Sequence, residues 1–329
     1  MDTEKMFLTD ETFNLVCEEL SENDLKIARH YVEVTRHLQE THHLFLIFKN
    51  DIDNLQKEYV LENTGNVFCG QNPAENGDDY IAINAYTISI ISAGRTLVES
   101  MECYIKNNTN IDDTAKQRYL DFYHKTYDSS FAYRLLIRLR DYSQHGHLPV
   151  SSMRNNYYFD LIQIVDKPHY NHNKTFENQM KNIIDEILTK YHDTPTIALT
   201  ETLAEFVVKL LSIYKMFWYQ TEDELNEAYN MFQNVISDYS DNIITQEDCS
   251  SGLFVYDIVG SNAHVVNSED NVHEAFIKFK NEAEALYNEY NEAYKEVLSG
   301  NLYISYSENQ LVVGTGTEFA KDIIECELS

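Results

Sequence analysis

The spacing of apolar residues predicts a chain built mainly of helices. Over most of the first 240 positions, apolar residues recur every three or four places, which is typical of helices that bury one face. The helices predicted in this way cover residues 10–20, 21–61, 80–106, 112–145, 175–191, 195–219 and 221–237. Ser21, Asp112 or Asp113, and Thr194 are the expected N-caps. Residues 63–79 are rich in asparagine and glycine and predict a loop.

The last third of the chain has a different pattern. Short apolar runs predict strands at residues 253–258, 302–305 and 311–313, around a charged helix at residues 272–298, and residues 157–165 predict an earlier strand. We therefore expect a mainly α fold, an antiparallel helical bundle, with a small α+β C-terminal region. The predicted domains are residues 1–245, with a core at about 80–150, and an acidic region at 246–329.

Composition narrows the class of protein. The chain is 43% hydrophobic and 12% aromatic, as globular proteins are, and its ten glycines and four prolines argue against an all-β fold with many turns. No run approaches eighteen apolar residues, so we expect no membrane-spanning segment. The five cysteines are scattered without CxxC spacing, which predicts reduced thiols and no zinc site. An acidic N-terminus without a secretion segment favours a cytoplasmic location.

The stretch LIRLRDYSQHGHLPV carries the clearest candidate chemistry. It places Arg140 five positions before His145, which on a continuous helix would point the two side chains about 140° apart. They converge only if the helix ends near His145, and Gly146 and Pro149 indicate that it does. A guanidinium that holds phosphate and an imidazole that moves protons near neutral pH can together cleave RNA without a metal.

The Arg140–His145 spacing resembles the arginine, four-to-six residues, histidine signature of HEPN domains. The resemblance is concentrated in residues 80–150, and Asp141 fits the family's preference for a polar residue after the arginine. It implies an all-α, commonly dimeric, metal-independent endoribonuclease of phage-defence or toxin–antitoxin systems. By the same resemblance Arg140 and His145 are catalytic, with Asp141 and Gln144 in support. Glu99, on the neighbouring helix, would orient one of the catalytic pair.

Other pairs in the chain satisfy the same spacing. They are Arg36 with His42 or His43, Arg118 with His124, Arg138 with His145, and Arg140 with His147. Arg36 lies in a charged run that predicts an exposed helix face, and His124 falls within a predicted helix with no end nearby. Only the cluster that includes Arg140 and His145 lies where the helical pattern stops, so context favours it.

The same residues also have plainer interpretations. Arg140 and Asp141 can form an ordinary salt bridge or cap at a helix end, and Glu99 can pair with Arg95 one turn away. The histidines at 145, 147, 169 and 172 lack a carboxylate at matching spacing, so we expect no metal site, and no cofactor is predicted.

Net charge is the main argument against a nucleic-acid enzyme. The chain carries −29, and residues 221–329 hold 22 acidic against 4 basic residues. Residues 116–154 are the exception, with seven basic and three acidic residues around the candidate site. The HEPN resemblance implies RNA as substrate and a homodimer. The acidic C-terminal region could hold RNA off, shield the site or bind a basic protein partner, and the simpler interpretation is a solvated acidic surface. The alternative is a non-enzymatic acidic interaction protein, either an antitoxin-like binder or a nucleic-acid mimic.

Overall fold

The computed structural model describes two compact units. The described residues are 6–9, 21–58, 78–144, 146–153, 156–166, 178, 181, 182, 185, 189, 196–240, 254–257, 266–267, 270–298, 303–307 and 310–314. Unit 1 comprises Met1–His43, Cys103–Arg118 and Phe217–Ala283, and unit 2 comprises Leu44–Glu102, Tyr119–Met216 and Glu284–Ser329. The predicted domain boundary at residue 245 lies outside the described residues.

Helices account for most of the described chain. They are α1 (Glu22–Glu58), α2 (Asp78–Asn107), α3 (Asp113–Ser129), α4 (Phe131–Gln144), α5 (Leu161–Asp166), α6 (Leu199–Ser240) and α7 (Asp270–Leu298). The strands are β1 (Met6–Thr9), β2 (Ser151–Met153), β3 (Asn156–Asp160), β4 (Thr196–Ala198), β5 (Phe254–Asp257), β6 (Val266–Asn267), β7 (Tyr303–Ser307) and β8 (Gln310–Gly314). The predicted mainly α fold with a small α+β C-terminal region is confirmed. The predicted helix at 10–20 and residues 63–77 of the loop predicted at 63–79 lie outside the described residues, and the loop prediction is wrong for residues 78 and 79, where α2 begins.

The strands form three small antiparallel sheets. Unit 1 contains β1, β5 and β6 in that order, and unit 2 contains β2, β3 and β4 together with the β7–β8 hairpin. The strands predicted at 302–305 and 311–313 are present as β7 and β8, and they pair antiparallel, with Tyr303 opposite Gly314 and Ser307 opposite Gln310. The predicted strand at 157–165 is correct only as far as Asp160. There the Asp160 carboxylate accepts the backbone N–H of Gln163 at 2.9 Å, which starts α5.

Two predicted caps begin their helices as expected. Ser21 Oγ accepts the backbone N–H of Asp24 at 3.2 Å, directly before α1. Asp112 accepts the backbone N–H of Thr114 at 2.8 Å, directly before α3. Each side chain satisfies a donor that the first turn of a helix leaves unpaired, so these starts depend on local sequence alone.

The single helix predicted over residues 112–145 is wrong, because the structure breaks it at Ser130. Helix α3 ends at Ser129, and Ser130 Oγ accepts the backbone N–H of Tyr133 at 3.1 Å as the N-cap of α4. The same hydroxyl donates to the carboxylate of Glu205 on α6. Ser130 is fully buried, so this break is stabilised by a tertiary contact as well as by the cap.

The prediction of two helices over residues 195–237, begun by a Thr194 cap, is also wrong. Residues Thr196–Ala198 form β4 and pair with Tyr158–Asp160, so the helix starts only at Leu199. It then continues to Ser240 without a break at Thr221. The Thr221 hydroxyl is buried and donates to the carbonyl of Phe217 at 3.0 Å, so it finds its partner inside the helix.

His42, in the charged run on α1, departs from the predicted exposed face. Arg36 and His43 are exposed as expected, but His42 is only 6% exposed and stacks on Phe279, with 3.6 Å between ring centroids. Burial, with a further contribution from His43, lowers the pKa of His42 to about 4. His42 is therefore a neutral core side chain near pH 7.

The core of unit 2 is closely packed around Gly94. A Cβ atom at this position of α2 would lie 2.6 Å from Leu210 Cδ1 and 3.1 Å from the rings of Phe206 and Phe48. Phe206 is fully buried and also stacks on Tyr133, at 5.6 Å between ring centroids. Glycine therefore allows α2 to approach α1 and α6 within unit 2, and Phe206 connects these helices to α4.

Asn84 fixes the chain segment that follows α4. Its side chain accepts the backbone N–H of Val150 at 3.0 Å and donates to the carbonyl of the same residue at 3.2 Å. Asn84 is 1% exposed and Val150 is fully buried. The buried amide thus satisfies both polar groups of one peptide unit and holds Val150 against α2.

Helix α2 is long and apolar enough, by length and composition alone, to cross a membrane. One 18-residue window within Tyr80–Asn107 has a mean hydropathy of 1.3, and 44% of that window is buried within the protein. The buried polar side chains of Asn84 and Thr87 and the ion-paired Arg95 lie on the same helix. A helix buried in a protein core has this profile too, and Gly94 of α2 is closely packed against Leu210, Phe206 and Phe48.

Unit 1 contains a buried carboxylate, Glu224. It is 5% exposed and accepts hydrogen bonds from the Tyr104 hydroxyl at 2.9 Å and the Asn108 side-chain amide at 2.5 Å. Burial raises the pKa of Glu224, although these hydrogen bonds and the nearby His30 and His37 partly oppose that shift. The Asn108 side-chain oxygen accepts the backbone N–H of Asn110, which fixes its amide as the donor to Glu224.

Glu224→Gln is expected to change how stability depends on pH. Folding raises the pKa of the Glu224 carboxyl group above its value in the unfolded chain. The protonated carboxyl group therefore stabilises the folded state at pH values below the unfolded pKa, and this contribution is lost as the pH rises through the folded pKa. Glutamine can still accept from Asn108 and donate to the Tyr104 oxygen, but it does not ionise. Urea unfolding between about pH 4 and pH 8 should therefore show the variant gaining stability relative to wild type as pH rises. Glu227→Gln, an exposed position of the same helix, is the control. The prediction would be contradicted if the difference in free energy of unfolding between Glu224→Gln and the wild type were the same at every pH.

Candidate functional site

Helix α4 ends where the sequence predicts. Its last residue is Gln144, and Gly146 has a φ of 85°, in the left-handed region that favours glycine. The backbone N–H of Gly146 donates to the carbonyl of Ser143 at 3.0 Å and closes the last turn. His145 lies outside the described residues, so its convergence with Arg140 stays a prediction.

Arg140 lies one turn before the end of α4 and is partly exposed. Its Nε atom is buried and has no hydrogen-bond partner within the described part of the chain. Gln144, its predicted supporting residue, is exposed at the helix end. A buried donor without a partner typically costs about 1–3 kcal/mol.

The two predicted supporting carboxylates both bind Arg95. Glu99 Oε1 accepts from Arg95 Nε at 2.7 Å, and Asp141 Oδ1 accepts from Arg95 Nη1 at 3.2 Å. Arg95 Nη1 also donates to the backbone carbonyl of Ile137 at 3.3 Å. Arg95 therefore joins α2 to the last two turns of α4, and the plainer expectation of an Arg95–Glu99 pair is confirmed. The roles of Glu99 and Asp141 in orienting Arg140 or His145 stay predictions.

The charge on Arg95 is largely matched by its partners. Burial by itself lowers the pKa of Arg95, but the hydrogen bond that Arg95 donates to Glu99 and the charges of Glu99 and Asp141 outweigh it, and the net pKa is raised. Arg95 is 22% exposed at its side chain, against 51% for Glu99 and 39% for Asp141. The guanidinium is thus a fixed anchor that positions two more exposed carboxylates beside the end of α4.

A pocket of about 440 Å³ opens beside this network, within unit 2. Helices α2, α3 and α4 all contribute to its lining. The lining residues are Arg95, Val98, Glu99 and Glu102 from α2, Tyr123, His124 and Tyr127 from α3, and Ile137 and Arg138 from α4. The volume falls within the range of about 300–1,000 Å³ that is usual for small-molecule sites.

Arg138 connects the pocket to the candidate motif. Its Nη2 atom donates to the Tyr127 hydroxyl at 3.2 Å, while its Nε atom is buried without a hydrogen-bond partner among the described residues. Arg138 and His145 also form one of the alternative arginine–histidine pairs that satisfy the motif spacing. The last two turns of α4 thus carry two guanidiniums, at Arg138 and Arg140, each with an Nε donor that lacks a partner among the described residues.

The aromatic side of the pocket comes from α3. Burial and the charge of Glu102 raise the pKa of Tyr123 to about 12, so its phenol stays protonated near neutral pH. His124 is exposed, with its ring 5.5 Å from that of Tyr123. Tyr127 meets the buried Tyr133 edge to face at 6.2 Å. Phenols and an imidazole thus face the charged residues of α2 and α4 across the pocket.

Sequence reasoning did not identify this pocket. It set His124 aside because no helix end was expected nearby, yet α3 ends at Ser129, five residues later. The sequence did contain one signal for the pocket, namely the helical spacing of its lining residues. Arg95, Glu99 and Glu102 share one face of α2, and Tyr123 and Tyr127 are one turn apart on α3. Among the described residues, no three His, Cys, Asp or Glu side chains come together as a set of metal ligands.

Comparisons with known proteins add no assignment. No protein-family model and no curated protein matches this chain.

Proposed function

We propose that the protein is a metal-independent endoribonuclease with its active centre at the C-terminal end of α4. The buried Nε atom of Arg140, which has no hydrogen-bond partner among the described residues, carries this proposal. Phosphate oxygens are strong partners for guanidinium groups, and the pairing is usually bidentate. Because α4 ends one turn later, at Gln144, a phosphate at Arg140 would lie near the start of the segment that contains His145.

The chemistry follows the resemblance described for the motif. The RNA 2′-hydroxyl attacks the adjacent phosphate, the 5′-oxygen leaves, and the products are a 2′,3′-cyclic phosphate and a free 5′-hydroxyl. His145 serves as general base or acid, and Arg140 stabilises the charge that develops on the phosphorane. Asp141, held by Arg95 at 3.2 Å, and Gln144 orient this pair.

The local charge supports RNA binding in spite of the acidic chain. Residues 116–154 have a net charge of +4 within a protein of −29. A basic patch attracts phosphate within about one Debye length, close to 10 Å at 0.1 M salt. In the proposed setting, phage defence or a toxin–antitoxin system, the protein is a cytoplasmic homodimer. Its acidic C-terminal region limits RNA access or binds a basic protein partner.

The direct test is incubation of the purified full-length chain with mixed-sequence RNA in the presence of EDTA. The expected products are fragments with 2′,3′-cyclic phosphate and 5′-hydroxyl ends, and induced expression should arrest bacterial growth with fragmentation of cellular RNA. RNA that stays intact with and without chelator would contradict the proposal. Cleavage that stops when EDTA is added would contradict its metal independence.

The charge of residues 221–329 favours a second candidate, a non-enzymatic acidic interaction protein. This region carries a net charge of −18, and part of that charge is displayed on exposed side chains such as Glu227, Glu274 and Glu289. Such a surface suits a basic protein partner. This candidate predicts intact RNA in the cleavage assay together with salt-sensitive binding of a basic protein.

A further inference from the structure

Arg138, in the pocket between α2, α3 and α4, carries a positive charge that the described part of the chain does not match. Among the described residues it forms no ion pair. Its Nη2 atom donates to the Tyr127 hydroxyl, and its Nε atom is buried without a hydrogen-bond partner there. Arg95, the other guanidinium of the lining, is bound by both Glu99 and Asp141. Arg95 therefore holds carboxylates of the protein, whereas Arg138 keeps the capacity to bind an added anion.

The α3 side of the pocket adds neutral hydrogen-bond donors next to this charge. Because the Tyr127 hydroxyl accepts from Arg138, it can donate its own proton to a ligand. Tyr123 keeps its proton near neutral pH, since burial and the charge of Glu102 raise its pKa to about 12. His124 is exposed and lines the same pocket of about 440 Å³. A guanidinium, two phenols and an imidazole together suit a ligand rich in acceptor oxygens.

The two carboxylates of the lining limit the charge of such a ligand. Both are engaged within the protein, since Glu99 accepts from Arg95 at 2.7 Å and Glu102 has an interaction of its own. Their negative charges still belong to the pocket wall, so a ligand with one negative charge fits better than a ligand with two. A phosphodiester carries one negative charge, whereas a phosphate monoester carries about 1.5–2 at pH 7. The lining therefore favours a phosphate within a nucleic-acid chain.

We propose that Arg138 binds, in this pocket, a second phosphate of the RNA substrate, distinct from the phosphate that is cleaved. The inference rests on the proposed ribonuclease function and adds a substrate contact to it. Arg138 and Arg140 are two residues apart on α4, so their side chains leave the helix about 160° from each other and are not placed to hold one phosphate together. The pocket nevertheless adjoins the candidate motif, because Arg95 in its lining binds Asp141, the residue after Arg140.

The test measures binding of a 2′-O-methylated RNA oligonucleotide of mixed sequence to the full-length chain at several salt concentrations. The blocked 2′-oxygen prevents cleavage by the proposed route, so binding is measured by itself. Arg138→Gln should weaken binding about tenfold, because it removes a charged hydrogen-bond donor. It should also make the slope of log affinity against log salt concentration shallower by about 0.7, the value for one phosphate contact on a single strand. An unchanged affinity or slope in this variant, or a wild-type protein that does not bind the oligonucleotide, would overturn the inference.

Two further variants separate a specific site from general attraction. Arg138→Lys keeps the charge and should keep the slope, but it should weaken binding about threefold because an ammonium lacks the planar fork that pairs with two phosphate oxygens. Lys125→Gln removes one positive charge from an exposed position of α3 outside the pocket lining, and it should change the affinity by less than about twofold. A loss from Lys125→Gln as large as that from Arg138→Gln would assign the effect to the overall charge of the segment and overturn the pocket site.

The source of the phosphate and the ribonuclease proposal are tested separately. Inorganic phosphate, added at constant ionic strength, should not displace the oligonucleotide. Displacement from the wild type but not from Arg138→Gln would mean that the pocket takes free phosphate, and would overturn RNA as its ligand. Arg138-dependent binding of the blocked RNA, without cleavage of unmodified RNA, would retain this site and overturn the nuclease. Cleavage of unmodified RNA together with an unchanged slope in Arg138→Gln would retain the nuclease and overturn this site.

Discussion

Arg140→Ala and His145→Ala are each expected to lower the rate of RNA cleavage by about 10²–10⁴-fold. General acid–base catalysis by a positioned histidine contributes a factor of this size, and removal of one charged donor to a transition-state oxyanion costs about 10²–10³. The measurement is the single-turnover rate on an RNA oligonucleotide of defined sequence in EDTA. Circular dichroism should show both variants folded, because Arg140 is partly exposed at a helix end.

The chain supplies its own control for this prediction. Arg36 and His43 satisfy the same sequence spacing but lie exposed in the middle of α1. Arg36→Ala/His43→Ala should therefore cleave RNA at the wild-type rate. If this double variant lost activity while Arg140→Ala/His145→Ala kept it, the site assignment would be wrong.

Phe206→Ala is expected to lower the free energy of unfolding by about 3–5 kcal/mol. Phe206 is fully buried, stacks on Tyr133 and meets Phe48 edge to face at 6.3 Å. Its ring would also lie 3.1 Å from a Cβ on Gly94, so truncation would open a cavity where three helices of unit 2 meet α6. Close packing on every side leaves the neighbours little freedom to collapse into that space.

Urea unfolding followed by circular dichroism measures this loss. Met231→Ala is the matched control, because Met231 is a large apolar side chain on the same helix but is 38% exposed. Met231→Ala should change the free energy of unfolding by no more than about 0.5 kcal/mol, as surface substitutions usually do. Similar losses for Phe206→Ala and Met231→Ala would show that the packing around Gly94 contributes little to stability.

The sequence predicted the helix boundaries that depend on neighbouring residues. Ser21 and Asp112 each cap a helix through a side chain and a backbone N–H two or three positions away, so the pattern is contained in a few adjacent letters. The end of α4 at Gln144 was predictable for the same reason, since Gly146 adopts the positive φ that such an ending requires.

Boundaries set by distant residues were not predictable. The break at Ser130 depends partly on Glu205, which lies 75 positions away, and the late start of α6 depends on pairing between Thr196–Ala198 and β3. His42 appeared to belong to an exposed charged face, because its stacking partner Phe279 is far along the chain. Periodicity shows which positions share a helix face but not which other helix covers that face.

The candidate site shows the same limit. The sequence singled out Arg140, Asp141 and Glu99, but Arg95, which binds both carboxylates, was assigned only a local pair with Glu99. The Arg95–Asp141 contact spans 46 positions and requires α2 and α4 to pack together. The pocket beside it combines residues from three helices, none of which forms a motif within its own segment.

The double hydrogen bond between Asn84 and Val150 limits the freedom of the candidate site before any ligand arrives. Residues 145–149 form a five-residue connection between the end of α4 and a peptide unit clamped to α2. A connection of five residues has few conformations available to it. The conformational entropy that a long loop would lose on binding the proposed RNA substrate is therefore already lost on folding. If the protein cleaves RNA as proposed, loosening the clamp at Asn84 is expected to make RNA binding weaker and slower, although Asn84 is not among the proposed site residues.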